Sequence, residues 1–333
     1  MKQSSPPVIA IILGDPAGSS YELCVMTALL NRGEYIPVFV GDRRRFDISR
    51  QAVKDQELLQ VRPLEARPQI AEENVAYFVD VDGGDDVQFG KVTPDSGKIT
   101  YESMIKALEL CQAGLADGVI MAPITKNAFH AAGYEEDSEF AVFANFYKVP
   151  AVKSVVTANS IYRASVTGHI AFKDIIPNLS VEGIVSTGRR VMSMMQQFLP
   201  PEKRKMAVAA LNPHASDNGA YGNEEEKIIE PAVRILQEEG MDVIGPVPAD
   251  TVFDRAIRGH VNGIVFLYHD QGNIAMKARY FDEGVVIYTG TPHLIVSPGH
   301  GPAYGKAGKG TANPSNMISC VKTILDLLSQ QNE

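Results

Sequence analysis

Short runs of apolar, β-forming residues alternate with amphipathic helical patterns along the whole chain, and this alternation restricts the fold more than any other feature. The runs fall at residues 8–13, 36–40, 76–81, 118–121, 154–158, 164–167, 207–211, 242–245, 263–268, 285–288 and 294–296. Several are apolar almost throughout, as strands covered on both faces are. Between them, residues 99–112 set Ile99, Met104, Leu108 and Cys111 on one helical stripe with Gly114 just beyond as a C-cap. Residues 180–198, 224–239 and 321–328 read as further helices. Strands alternating with helices specify an α/β fold with largely parallel pairing. A chain of 333 residues suits about two domains. The most Gly-rich stretch, residues 297–313, comes late, as though the chain returned there to its first domain. The expected division is a discontinuous first domain, 1–127 with 303–333, and a second, 128–302, with the active site in the cleft between them.

Composition removes several classes of function. Apolar residues make up 45% and charged residues 21%, an ordinary globular profile. The net charge of −9 and the lack of a basic stripe argue against nucleic acid as a partner. No run reaches the roughly 20 apolar residues that span a bilayer. Cys24, Cys111 and Cys320 lack metal-type spacing and sit in helical apolar patterns, which suits buried free thiols in a reducing compartment. The stretch before the first strand is short and polar, unlike a signal peptide, so a cytoplasmic location is expected.

Three histidines sit just past the ends of strand-like runs: His169 in Ser-Val-Thr-Gly-His-Ile, His214 in Ala-Leu-Asn-Pro-His-Ala and His269 in Phe-Leu-Tyr-His-Asp-Gln-Gly. Strand ends are where an α/β sheet presents ligand groups. Three converging neutral imidazoles would hold a divalent cation and leave positions open for substrate. Loop histidines need not meet, and the pattern alone leaves both readings open. Asp270 is placed to join the coordination or to orient the imidazole. Lys277, eight residues on, either holds an anionic substrate or is a solvated helix lysine. Gly14-Asp15-Pro16-Ala17-Gly18 follows the first strand but matches neither the P-loop nor the dinucleotide fingerprint. In Ala122-Pro123-Ile124-Thr125-Lys126, Thr125 suits an N-cap and Lys126 is a candidate for substrate contact or proton transfer. The acidic run Glu224-Glu225-Glu226 reads as a first helical turn. His130 and His260 read as surface residues, and His293 as the head of a strand.

These motifs, taken in order with Thr167-Gly168-His169, Leu211-Asn212-Pro213-His214-Ala215, Gly245-Pro246-Val247-Pro248-Ala249-Asp250-Thr251 and Tyr268-His269-Asp270-Gln271-Gly272, resemble the 4-hydroxythreonine-4-phosphate dehydrogenase family of vitamin B6 biosynthesis over essentially the whole chain. The resemblance implies a two-domain, three-layer α/β/α fold similar to the isocitrate and isopropylmalate dehydrogenases. It implies a homodimer with active sites shared between subunits. One divalent metal (Zn, Mg, Mn or Co) would be held by His169, His214 and His269. The segment from His300-Gly301 through Gly305, Lys306 and Gly308 to Asn313 resembles the loop that binds the cofactor's adenosine.

The departures from the family pattern carry their own information. The family's substrate-gripping Gly-His-Thr-Glu stands here as Glu136-Asp137-Ser138-Glu139. Family substrate positions fall on Lys277, which is retained, on Val286 in place of an asparagine, and on Ile295 in place of an arginine. Arginine grips phosphate through a charge-assisted fork. Losing it, with aspartate in place of histidine, disfavours a phosphate dianion. Gly305 replaces an aspartate expected at the ribose and Lys306 follows it, so NAD is the default and NADP an open alternative. The expected activity is an NAD(P)- and metal-dependent dehydrogenase acting on a small hydroxy acid or diol carboxylate, with decarboxylation where a β-keto acid results. Lys277, Asp270 and Lys126 are its candidate catalytic groups. The alternatives are a metal-dependent hydrolase, since the same histidines would activate water, and an inactive relative serving as a binding protein.

Overall fold

The computed structural model describes residues 5–331. Its contacts divide the chain into two units, 1–153 with 285–333, and 154–284.

The first unit opens with β1 (Val8–Ile12), α1 (Ser20–Leu29), β2 (Ile36–Gly41), α2 (Arg43–Arg50), β3 (Gln60–Pro63) and β4 (Val75–Asp80). It continues with α3 (Pro94–Gln112), β5 (Gly118–Met121), α4 (Lys126–Ala131) and α5 (Glu139–Tyr147). The second unit holds β6 (Lys153–Ala158), β7 (Ile161–Ser165), α6 (Val181–Phe198), β8 (Lys205–Ala209), α7 (Glu230–Glu238), β9 (Asp242–Val247), α8 (Ala249–Ile257), β10 (Gly263–Phe266) and α9 (His269–Tyr280). The chain then returns to the first unit as β11 (Val285–Thr289), β12 (Leu294–Pro298) and α10 (Ser315–Gln331).

In the first unit the strand order is β3-β4-β2-β1-β5-β12-β11. Pairing is parallel except between β11 and β12. Every residue of β1, β2 and β5 is buried. Alternation along β5 shows why. Val119 and Met121 join the apolar cluster with Met104 and Leu108 of α3. Gly118 faces the other way, so close to α10 that an added Cβ would lie 2.9 Å from Ile324. Helices thus cover both faces of the sheet, and continuous apolar strands are the consequence.

The second unit orders its strands β6-β7-β10-β8-β9, parallel except for the β6–β7 hairpin. Ala207, Ala209, Ile264 and Phe266 pack with Val252 and Phe253 of α8 and Met276 and Tyr280 of α9. Gly263 lies against Met195 of α6 on the opposite face.

The unit boundaries differ from the sequence expectation of 1–127 with 303–333 and 128–302. Residues 128–153 stay with the first unit because Phe129, Val142 and Phe143 enter its core. Residues 285–302 do so because β12 pairs with β5.

Candidate active site

The three histidines all follow neighbouring parallel strands of the second unit. β7, β10 and β8 lie side by side, so their C-terminal ends share one edge. The ladder runs on past the strands, with Val166 N–H to Phe266 O (2.9 Å) and Thr167 N–H to Leu267 O (3.1 Å). That extension carries His169 beside His269, their ring centroids 4.7 Å apart. His269 opens α9. Its Nδ1 lies 2.7 Å from Asp270 Oδ1 and its Nε2 2.7 Å from Asn273 Nδ2. Residues 269, 273 and 277 recur at four-residue spacing, which sets His269, Asn273 and the exposed Lys277 along one helix face. Gln271 is structural: its amide oxygen takes the Leu267 N–H at 2.8 Å and its Nε2 donates to Ala210 O at 2.8 Å, tying the ends of β10 and β8 together.

His214 follows the third of these strands, β8. It lies in a turn, Pro213–Asp217, where residues 214–218 all have positive φ. Such backbone costs energy in non-glycine residues unless the surroundings enforce it. Glu225 supplies part of that enforcement. Its buried carboxylate accepts the N–H groups of Leu211 (2.9 Å) and Asn212 (2.7 Å) and the Asn212 amide (2.8 Å). The acidic run read from sequence as a simple first helical turn is therefore a brace for the histidine loop. Among the described residues no group of three or more His, Cys, Asp or Glu is placed to hold a metal. Within one copy of the chain the rings of His169 and His269 lie side by side. Their nitrogen donors suit a borderline divalent ion such as Zn.

The first unit gathers the remaining motifs. Gly14 has φ +75°, and a Cβ there would fall 2.5 Å from Pro123 O. Asp15 N–H and Ser20 Oγ both donate to that carbonyl, at 3.0 and 2.7 Å. Ser19 N–H and Oγ go to Pro302 O at 2.8 and 3.1 Å. Three loops distant in sequence thus close on one another. Thr125 occupies the N-cap position of α4 without making a cap bond. Its Oγ1 instead lies 2.8 Å from the Tyr304 hydroxyl, which donates to Asp15 Oδ2 at 2.6 Å. Burial holds the Asp15 carboxyl above its ordinary range, against the pull of these hydrogen bonds. Glu22 of α1 accepts the Gly308 N–H, and at 2.7 Å the Gly310 N–H, pinning the late Gly-rich loop. On that loop His300 Nδ1 meets Gly301 O at 2.9 Å, and Asn313 Oδ1 accepts from Ser315 N–H at 3.1 Å. Gly305 and Lys306 are exposed, and a side chain on Gly305 would meet nothing within 4 Å.

The substrate candidates of this unit have separate surroundings. Asp137 is exposed and accepts from Ser138 Oγ at 2.8 Å. Lys126 Nζ lies 3.3 Å from Glu139 Oε2, an ion pair invisible to the sequence reading. Val286 is half-buried against the apolar cluster. Ile295 is fully buried within that cluster, so its side chain offers a substrate nothing in this arrangement. His293, read only as a strand head, is hydrogen-bonded to the Tyr147 hydroxyl at 3.0 Å, and burial lowers its pKa.

The profile of the family described as "Pyridoxal phosphate biosynthetic protein PdxA" matches residues 34–324. The chain belongs to that family. A Rhizobium meliloti protein assigned as 4-hydroxythreonine-4-phosphate dehydrogenase 2 is 38% identical over 313 residues, covering 92% of this chain and 89% of the relative. A D-threonate 4-phosphate dehydrogenase of Cupriavidus necator is 31% identical over 335 residues, with 98% of each covered. The crystal structure of 4-hydroxythreonine-4-phosphate dehydrogenase from Klebsiella pneumoniae superposes with a TM-score of 0.84 at 25% identity, over 98% of this chain and 99% of that one. Isocitrate dehydrogenase from Methylococcus capsulatus shares the fold alone, with a TM-score of 0.50 at 14% identity over 98% and 87%. The resemblance read from the motifs and the expected α/β fold are both borne out. As a family member the chain is an oxidoreductase of the dehydrogenase type, which sets aside the hydrolase alternative.

Proposed function

We propose that this chain is an NAD(P)- and divalent-metal-dependent dehydrogenase that oxidises the alcohol of a small hydroxy acid or diol carboxylate. Where oxidation yields a β-keto acid, loss of carbon dioxide follows. The observation that carries the reading is the pairing of His169 with His269 at the ends of β7 and β10, with Lys277 two turns along the same helix face. When bound, the metal would polarise the substrate hydroxyl and the nicotinamide would take up the hydride. The chain's own residues set the stage for that chemistry. His169 and His269 would bind the ion, and Asp270 would orient His269 through Nδ1. Lys277 would hold the substrate's carboxylate. Lys126 is the candidate to carry away the hydroxyl proton or to contact substrate. The Gly-rich loop that Glu22 braces, from His300 to Asn313, would hold the adenosine end of the cofactor.

We place the third metal ligand, His214, in a second copy of the chain. Among the described residues of one copy, no set of three such ligands is placed to hold an ion, while His169 and His269 lie together. Beside His169 the chain also exposes Ile170, Phe172 and Ile176, with Phe172 77% accessible. An apolar patch of that kind marks an interaction surface. A homodimer with shared sites satisfies both observations.

The Rhizobium meliloti, Cupriavidus necator and Klebsiella pneumoniae proteins are named for phosphorylated substrates. In this chain Asp137 and Ile295 stand where the family resemblance expects a histidine and an arginine. The buried Ile295 can contribute no cation. We therefore favour a substrate whose anionic group is a carboxylate, without phosphate. The deciding experiment loads the protein with Zn, Mn or Co and titrates NAD and NADP by calorimetry. Absorbance at the reduced nicotinamide band then follows turnover of 4-hydroxythreonine 4-phosphate, D-threonate 4-phosphate and their unphosphorylated counterparts. Turnover of the unphosphorylated acids supports the proposal. Turnover confined to the phosphate esters overturns the substrate assignment, and binding of neither cofactor overturns the dehydrogenase reading for this chain.

A further inference from the structure

Arg163 is the most unusual buried cation in the second unit. It sits on β7 between β6 and β10, opposite Val156 and Ile264, and only 7% of it is accessible. Among the described residues no carboxylate pairs with it, and its Nε is buried without a hydrogen-bond partner. Its Nη2 donates to Asn273 Oδ1. Burial lowers the guanidinium pKa to about 10, so the group is still a cation at neutral pH. Desolvating a charge for one neutral amide is costly, and it calls for a function.

A guanidinium has only donors to offer. The Asn273 oxygen must therefore face Arg163, and the orientation of this amide is chemically forced. Its Nδ2–H group is then the one aimed at His269 Nε2, 2.7 Å away. A donor facing Nε2 requires a lone pair there. The ring proton then lies on Nδ1, where Asp270 Oδ1 accepts it at 2.7 Å. Each link fixes the next, from a buried arginine to the protonation pattern of one imidazole.

We propose that Arg163 and Asn273 are positioning residues that hold His269 as its neutral Nδ1–H tautomer, with the Nε2 lone pair kept available and covered by the Asn273 amide until a metal ion displaces it. The inference rests on the assignment of His269 as a metal ligand, which needs its Nε2 lone pair free. It names two residues, one on a strand and one a turn into α9, that the metal-ligand reading alone does not include.

The test is ring ¹⁵N NMR of the metal-free protein with labelled histidine, the His269 signals being identified by their loss in His269→Gln. In the wild type, Nδ1 should show the protonated shift and Nε2 the unprotonated one. Asn273→Asp keeps the size and pairs well with Arg163, but it turns an acceptor toward Nε2, so the proton should appear on Nε2. Arg163→Gln should free the amide to rotate and give averaged shifts. A wild-type ring with its proton on Nε2, or an Asn273→Asp ring indistinguishable from wild type, would overturn the proposal, whether or not Arg163→Gln folds. Adding Zn to the wild type separates this inference from the reading beneath it. A correct tautomer whose Nε2 resonance ignores Zn would remove His269 from the metal site while leaving the hydrogen-bond relay in place.

Discussion

Ile295 shows how burial limits what a substitution can add to a site. Its side chain is wholly inside the apolar cluster, so an arginine there would be an unpaired buried charge. Ile295→Arg should destabilise the protein by on the order of 4 kcal/mol, read from the urea midpoint. A loss under about 1 kcal/mol would mean the side chain escapes the core. The triple change Ile295→Arg, Asp137→His and Val286→Asn would carry the same buried charge. Asp15 permits a pH prediction. Its folded pKa is raised by burial, so the folded state holds the proton more tightly than the unfolded chain. Stability from this group is full below the ordinary carboxylate value of about 4 and declines as pH rises through the raised folded value. Asp15→Asn should flatten that decline in urea titrations across the acid range; an unchanged slope would assign it to other groups. The histidines and Asp270 were legible as candidates because residue type and strand-end position mark them, and Lys277 because the family resemblance does. Arg163, Asn273, Glu22 and Glu225 were not, because each acts on a group distant in sequence or through an amide orientation that only the fold defines.

At the scale of elements, periodicity and end signals located most of the architecture. β5 matches the expected 118–121 in full, and α6 begins after Ser180, whose hydroxyl caps Gly183 N–H at 3.1 Å. β3 was missed because its residues are half-exposed or exposed, with no apolar run to mark them. α10 starts six residues before its expected 321 because Met317 and Cys320 continue the buried stripe of Ile324 and Leu327 behind a polar Ser-Asn start. The helix expected at 224–239 begins instead as a π-helical stretch, Glu225–Ile229, which turns Glu225 toward the His214 loop. α3 extends back to Pro94, where Thr93 and Ser96 form a reciprocal capping box. Thr93→Ala should cost about 1 kcal/mol in chemical denaturation. No measurable change would show that the box adds nothing beyond the proline at the start of the helix.

The whole molecule contains no helix, among the described residues, long and apolar enough to cross a membrane. Its assembly is the prediction that belongs at this scale. If the surface around Phe172 buries a second copy, light scattering should give twice the chain mass. Phe172→Glu with Ile176→Glu should then yield single chains that have lost turnover. A monomeric wild type, or an active monomeric variant, would exclude shared sites. The return of the chain to its first unit has a further consequence for synthesis on the ribosome. Residues 154–284 form an uninterrupted stretch, all of it synthesised before β11 and β12. The first unit must wait, because β12 inserts between β5 and β11 and Glu22 has to find the N–H groups of Gly308 and Gly310. The part of the protein made first is thus finished last.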